Sequence, residues 1–139
     1  MKFWDTSAIV PLLVEEPESQ LVESIFREDS EQIVWWGTSI ECVSAVSRLE
    51  REGALAAIQA ERIIDKLRLV RSAWREVLAG AQLKQTAERI LRVHPLRAQD
   101  AQQLAACLIV NSSGKVPFVS LDSRLNTAAR KEGLDTEGR

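Results

Sequence analysis

Three short apolar runs, KFW at residues 2–4, QIVWW at 32–36 and VPFVSL at 116–121, are each followed within two residues by a longer stretch whose apolar side chains recur at helical spacing. Strands separated by helices cannot be hairpin partners. They lie parallel, and a parallel sheet has to be covered on both faces. The pattern therefore predicts an α/β chain with a central, mostly parallel sheet, and with no internal repeat, low-complexity tract or long linker the 139 residues read as one domain over 1–139.

Local signals divide the rest. After the first strand, Ser7 to Val14 and Glu18 to Arg27 read as helices, with Pro11 placed in a first turn, where its missing N–H costs little. Thr38 starts a helix that runs to about Glu52 and is stopped by Gly53. From Ala54, the spacing of Ile58, Ile63, Ile64, Leu67 and Val70 predicts a second arm of a helical hairpin. Trp74 to Val77 is read as a short strand, Gln82 to Val93 and the alanine-rich Ala98 to Val110 as helices, Asn111 to Lys115 as a loop, and Ser123 to Glu132 as a last helix capped by Gly133.

Composition removes several classes of function. Lysines and arginines number 18 against 20 acids, a net charge of −2, so any nucleic-acid surface must be local. No run approaches the roughly 20 apolar residues of a membrane span, and Asp5 interrupts any basic-then-apolar leader, so the chain reads as cytoplasmic with no membrane partner. Cys42 and Cys107 lie in apolar helical patterns without metal-type spacing and read as buried thiols. His94, the only histidine, precedes Pro95 and reads as a surface or half-buried turn residue. Trp35 and Trp36, consecutive on a strand, must face opposite sides, one of them the core.

The acids carry the chemistry. Asp5 follows the first strand, Glu41 lies in the first turn after the second, Asp100 opens the alanine-rich helix and Asp122 ends VPFVSL. Each has a local explanation: Asp5 and Asp122 as N-caps, Asp100 as a helix-dipole partner, and Thr38 with Glu41 as a capping box. Together they face the crevice at the carboxyl ends of a parallel sheet, where convergent carboxylates need a cation. Oxygen donors without histidine or thiolate suit Mg²⁺ or Mn²⁺, and the matching chemistry is hydrolysis of a phosphodiester.

The segments DTSA, TSIECVSAVSR, LRAQDAQQLAA and FVSLDSRLNTAARKEGL, in this order over nearly the whole chain, resemble a PIN-domain ribonuclease, in particular the VapC-type toxin of a toxin–antitoxin pair. The resemblance implies a three-layer α/β/α sandwich and an endoribonuclease whose catalytic and metal-binding residues are Asp5, Glu41, Asp100 and Asp122. It implies Ser120 and Thr6 as supporting residues near the metal, and in-line hydrolysis leaving a 5′-phosphate and a 3′-hydroxyl. An RNA substrate, a cognate antitoxin seated near the helical hairpin between Glu41 and Val70, and a homodimer are the partners it implies. The tail, DTEGR, departs from the short apolar strand with which the family ends and puts the last sheet edge in question.

An acidic centre needs cations nearby to hold an RNA backbone, and Arg48, Arg124 and Arg130 lie on helices that begin at the site. Most of the arginines at 48, 51, 62, 68, 71 and 75 read as a solvated helix face. Two other classes compete with the metal-dependent nuclease. One is a silent PIN-like protein that binds RNA or an antitoxin without cutting. The other is an aspartate-nucleophile phosphohydrolase, which wants a second acid where Ser7 stands.

Overall fold

The computed structural model describes residues 1–112 and 114–139. The elements run β1 (Lys2–Trp4), α1 (Thr6–Leu13), α2 (Ser19–Glu28), β2 (Gln32–Trp35), α3 (Thr38–Arg51), α4 (Ala57–Arg71) and β3 (Arg75–Val77). They continue as α5 (Ala81–Val93), α6 (Ala98–Val110), β4 (Phe118–Ser120), α7 (Ser123–Lys131) and β5 (Thr136–Gly138). The strands form one sheet in the order β3-β2-β1-β4-β5, and every pairing is parallel.

Alternation along the strands splits the core in two. Phe3, Ile33, Trp35 and Phe118 face one side and pack with Leu83, Ile90, Leu104 and Leu125 of α5, α6 and α7. Trp4, Val34 and Val119 face the other and pack with Ile9, Leu13, Val22 and Leu67 of α1, α2 and α4. Phe3 and Phe118 stack with ring centroids 5.8 Å apart across the central strand pair. Each such side chain contributes roughly 1.5–3 kcal/mol by leaving water. Ala101, Ala105 and Ala106 are fully buried, and their small side chains let α6 lie close against its neighbours. The result is the three-layer α/β/α sandwich.

The chain builds outward from β1 through β2 to β3, then returns to the other side of β1 for β4 and β5. The reversal opens a crevice at the carboxyl ends of β1 and β4, the usual ligand position of such sheets.

Several local expectations are corrected. Pro11 lies in the second turn of α1, where it forfeits a bond to the Ser7 carbonyl; its own carbonyl accepts from the Ser19 hydroxyl at 2.7 Å, and the helix ends two residues on. α4 starts at Ala57 rather than Ala54, because Gly53 turns at φ 79° and the Gln59 side chain accepts from the Ala56 N–H at 2.8 Å. Trp36 lies just past β2 and is 50% exposed, while Trp35 is core. The loop expected over Asn111 to Lys115 includes Ser113, which lies outside the described residues. Asn111 exchanges two hydrogen bonds with the Val116 backbone across it.

The last edge strand forms. β5 is polar because an edge strand needs backbone partners more than an apolar face, and its ends are tied by Phe118 N–H to Asp135 C=O at 2.8 Å and Arg139 N–H to Ser120 C=O at 3.2 Å. Asn126 donates to the Arg139 carbonyl, and the buried Lys2 ammonium pairs with Glu137 at 2.8 Å. Gly138 sits at φ 108°, where a Cβ would lie 2.3 Å from the Ser120 oxygen.

His94 is buried at the end of α5, its Nε2 2.8 Å from Glu132, which also takes both guanidinium nitrogens of Arg89 at 3.0 Å. Arg89, then His94, hold the Glu132 carboxyl below its ordinary range against the opposing effect of burial. A folded-state pKa below the unfolded one means that the stabilisation is present above the ordinary carboxylate range and lost as pH falls through the folded value. Urea unfolding of Glu132→Gln is accordingly expected to show a loss of about 1 kcal/mol near neutral pH, shrinking toward zero as pH falls through the folded-state value.

Candidate active site

Asp5 is the N-cap of α1, immediately after β1, and is only 4% exposed. Its Oδ2 accepts from the Ser7 hydroxyl at 2.6 Å, the Ser120 hydroxyl at 2.9 Å and the Ser7 N–H at 3.3 Å. Each serine oxygen in turn accepts a backbone proton, Ser7 from Leu121 N–H at 2.9 Å and Ser120 from Asp122 N–H at 3.1 Å. One carboxylate thus fastens the β1–α1 corner to the β4–α7 corner. Burial raises the Asp5 pKa, opposed by these hydrogen bonds and reinforced by the charge of Asp100.

Glu41 reaches the same crevice from the first turn of α3. Gly37, not Thr38, is the N-cap, so the expected capping box does not form; Thr38 stands inside the helix. The Glu41 carboxylate accepts instead from the Thr6 hydroxyl at 3.0 Å and lies 3.3 and 3.4 Å from Nε2 of Gln103. Desolvation lifts its pKa to about 7, with the Thr6 bond opposing and the charges of Asp5 and Asp100 adding to the rise.

Asp100 lies in the first turn of α6, half-buried, and its pKa is raised by desolvation and by the charge of Asp122; Arg97 and Arg124 act against the rise. Asp122 caps α7, its Oδ1 accepting from Arg124 N–H at 2.9 Å and Leu125 N–H at 3.0 Å. The acids therefore act on one another in series, Glu41 with Asp5 and Asp100, and Asp100 with Asp122.

No ion pair among the described residues involves any of these acids. Nor do three His, Cys, Asp or Glu side chains among the described residues close a ready coordination cage. Carboxylates that supply only oxygen donors and pair in no salt bridge among the described residues suit a hard divalent cation that keeps part of its own water shell.

Two polar clefts flank the acids. One, of about 200 Å³, is lined by Thr6, Glu41, Ser44, Ala45, Arg48 and Gln99. The other, of about 360 Å³, is lined by Arg97, Asp100, Asp122, Ser123 and Arg124. Arg48 and Arg124 stand at the crevice as expected. Arg130 does not: it lies in the last turn of α7 and donates to Thr136, at the start of β5 and away from the carboxyl ends. Sequence reasoning missed Ser7, Arg97 and Gln103. Gln103 follows Asp100 by three positions and so shares its helix face, which was a usable signal.

Cys42 adjoins Glu41 and Cys107 lies in α6; both are buried and free, and burial pushes each thiol up to about 12. Neither is a thiolate ligand or nucleophile at neutral pH. Ellman's reagent at pH 8 is expected to leave both thiols unmodified in the folded chain and to titrate both in urea.

No protein-family profile matches the chain. It is similar, at 31% identity over 140 aligned residues, to two curated Mycobacterium tuberculosis proteins, Ribonuclease VapC45 and Ribonuclease VapC49, an alignment spanning 94% of this chain and 90% of each relative. FitAcB from Neisseria gonorrhoeae shares the fold, with a TM-score of 0.72 at 14% identity over 98% of this chain and 96% of that one. Mycobacterium tuberculosis VapC20, a Sarcin-Ricin loop cleaving toxin, does so with a TM-score of 0.69 at 15% identity over 92% and 95%.

Proposed function

The chain belongs to the VapC family of ribonucleases, the endoribonuclease toxins of toxin–antitoxin systems, and on that premise we propose that it cuts RNA with Mg²⁺ or Mn²⁺ held by Asp5, Glu41, Asp100 and Asp122. The observation that carries the reading is the gathering of these acids at the carboxyl ends of the strands with no cationic side chain paired to any of them. A bound divalent ion supplies a polarised scissile phosphate and a more acidic water.

The chain's own residues do the positioning. Ser7 and Ser120 hold Asp5 in one rotamer, and Thr6 holds Glu41. Asp100 and Asp122 face the open side, where the phosphodiester enters between them and Arg124. Arg48 on one flank and Arg97 with Arg124 on the other bind the neighbouring phosphates and keep the strand in register across the acids.

Two surfaces support the proposed partners. A cleft of about 360 Å³ between the end of α1 and α4, with Leu13, Val14, Leu55 and Ile63 as its apolar wall and Glu15 and Arg62 at its rim, suits an amphipathic antitoxin segment. The larger apolar cleft formed by Trp35, Ala79, Leu83, Ala87 and Leu91 suits a second copy of the chain, giving a homodimer. No helix among the described residues is long and apolar enough to cross a membrane.

Purified chain, free of antitoxin, is expected to cleave structured RNA with Mg²⁺ or Mn²⁺ and to stop when a chelator is added. Asp100→Asn, equal in size but uncharged, is expected to lose about 100-fold or more. Folded protein that cuts no RNA under any of these conditions points instead to a silent PIN-like protein binding RNA or an antitoxin. Arg124→Ala is expected to raise KM several-fold with little change in kcat and to flatten the salt dependence of binding.

A further inference from the structure

Gln103 of α6 is fully buried, yet it carries a carboxamide where the helix could have presented an apolar side chain to the core. Burying an amide is costly unless its donors and acceptor are met. Its Nε2 is 3.0 Å from the Thr6 hydroxyl of α1 and 3.0 Å from the Thr38 hydroxyl of α3, and 3.3 and 3.4 Å from the two Glu41 oxygens. Thr6 passes the link on, donating to Glu41 at 3.0 Å. Its Oε1, by contrast, is buried without a hydrogen-bond partner among the described residues.

That imbalance is informative. Turning the amide over would set its oxygen against the Glu41 oxygens at the distances now held by nitrogen, so the carboxylate dictates the orientation and the orphan oxygen is the cost. An arginine or lysine here would cancel the charge of Glu41 and compete with a cation. A leucine would leave the carboxylate free to rotate, and a glutamate would add a fifth negative charge. A neutral amide donor, working with the Thr6 hydroxyl, holds the carboxylate while leaving its charge for a metal.

We propose that Gln103 is a positioning residue for the cation site, its amide and the Thr6 and Thr38 hydroxyls forming a clamp that holds Glu41 aimed at the divalent ion. This rests on the metal reading given above. The partners come from α1 and α3 and Gln103 itself from α6, so the clamp also sets how the starts of those helices sit around the crevice.

The test is Mn²⁺ titration calorimetry on metal-stripped full-length chain, wild type beside Gln103→Met, which keeps the length and removes the donors. The variant is expected to bind Mn²⁺ about 10-fold more weakly. It is also expected to lose kcat at limiting Mn²⁺, to regain it at saturating Mn²⁺, and to keep its KM for RNA. Mn²⁺ affinity within twofold of wild type, with or without a lower melting temperature, overturns the clamp and leaves Gln103 a structural amide. Should Gln103→Met not fold, Thr6→Val removes the relay hydroxyl at constant shape and is read by the same two outcomes. Wild-type chain that binds no Mn²⁺ overturns the metal reading and the clamp together, a failure seen before any variant is made.

Discussion

Removing the Asp5 carboxylate from water at the point where the strand order reverses imposes conditions on every segment around it. A buried carboxylate needs donors to offset its lost hydration, and here those that reach Oδ2 come from Ser7 on its own helix and Ser120 at the end of a strand far away in sequence. Each hydroxyl has a single proton and gives it to Asp5, so each oxygen is left to take a backbone N–H of the β4–α7 corner. The registration of β4 beside β1 and the entry of α7 are therefore coupled to one side chain. The stacked Phe3 and Phe118 add apolar weight to the same strand pair.

Electrostatics gives this frame its chemical direction. Asp5, Glu41 and Asp100 are all harder to ionise than in water, with desolvation the leading cause in each case and neighbouring carboxylates adding to it. Elsewhere the chain neutralises its acids in ordinary ways: Glu132 with Arg89, Glu137 with Lys2, Asp29 with the N-terminus. At the crevice it does not. Carboxylates left without an ion-pair partner cost the folded protein stability, an arrangement that suits a divalent cation, whose binding to the folded state alone would offset that cost.

The alternation of strand and helix was legible because it depends on periodicity and on caps, both properties of neighbouring residues. Every strand read from apolar runs is present, and Asp5 and Asp122 are N-caps as their positions after strands indicated. The failures have a common origin. Thr38 and Glu41 have the spacing of a capping box, but Gly37 opens the helix, and Glu41 turns to Thr6 and Gln103, which no local rule could supply. β5 lacks the apolar pattern of a strand because an edge needs only backbone pairing and a few polar ties from Asn126 and Lys2.

By itself, then, the sequence determined the class of fold, the two faces of the sheet and the carboxylates that stand at helix starts, since strand alternation and helix periodicity act over a few residues. Only the tertiary structure decided which polar side chains answer those carboxylates, that Arg130 belongs to the far end of α7 rather than the crevice, and that a polar tail closes the sheet. These depend on hydrogen bonds and charge between segments that lie far apart in sequence, and such partners are fixed by the packing of whole elements, not by any pattern along the chain.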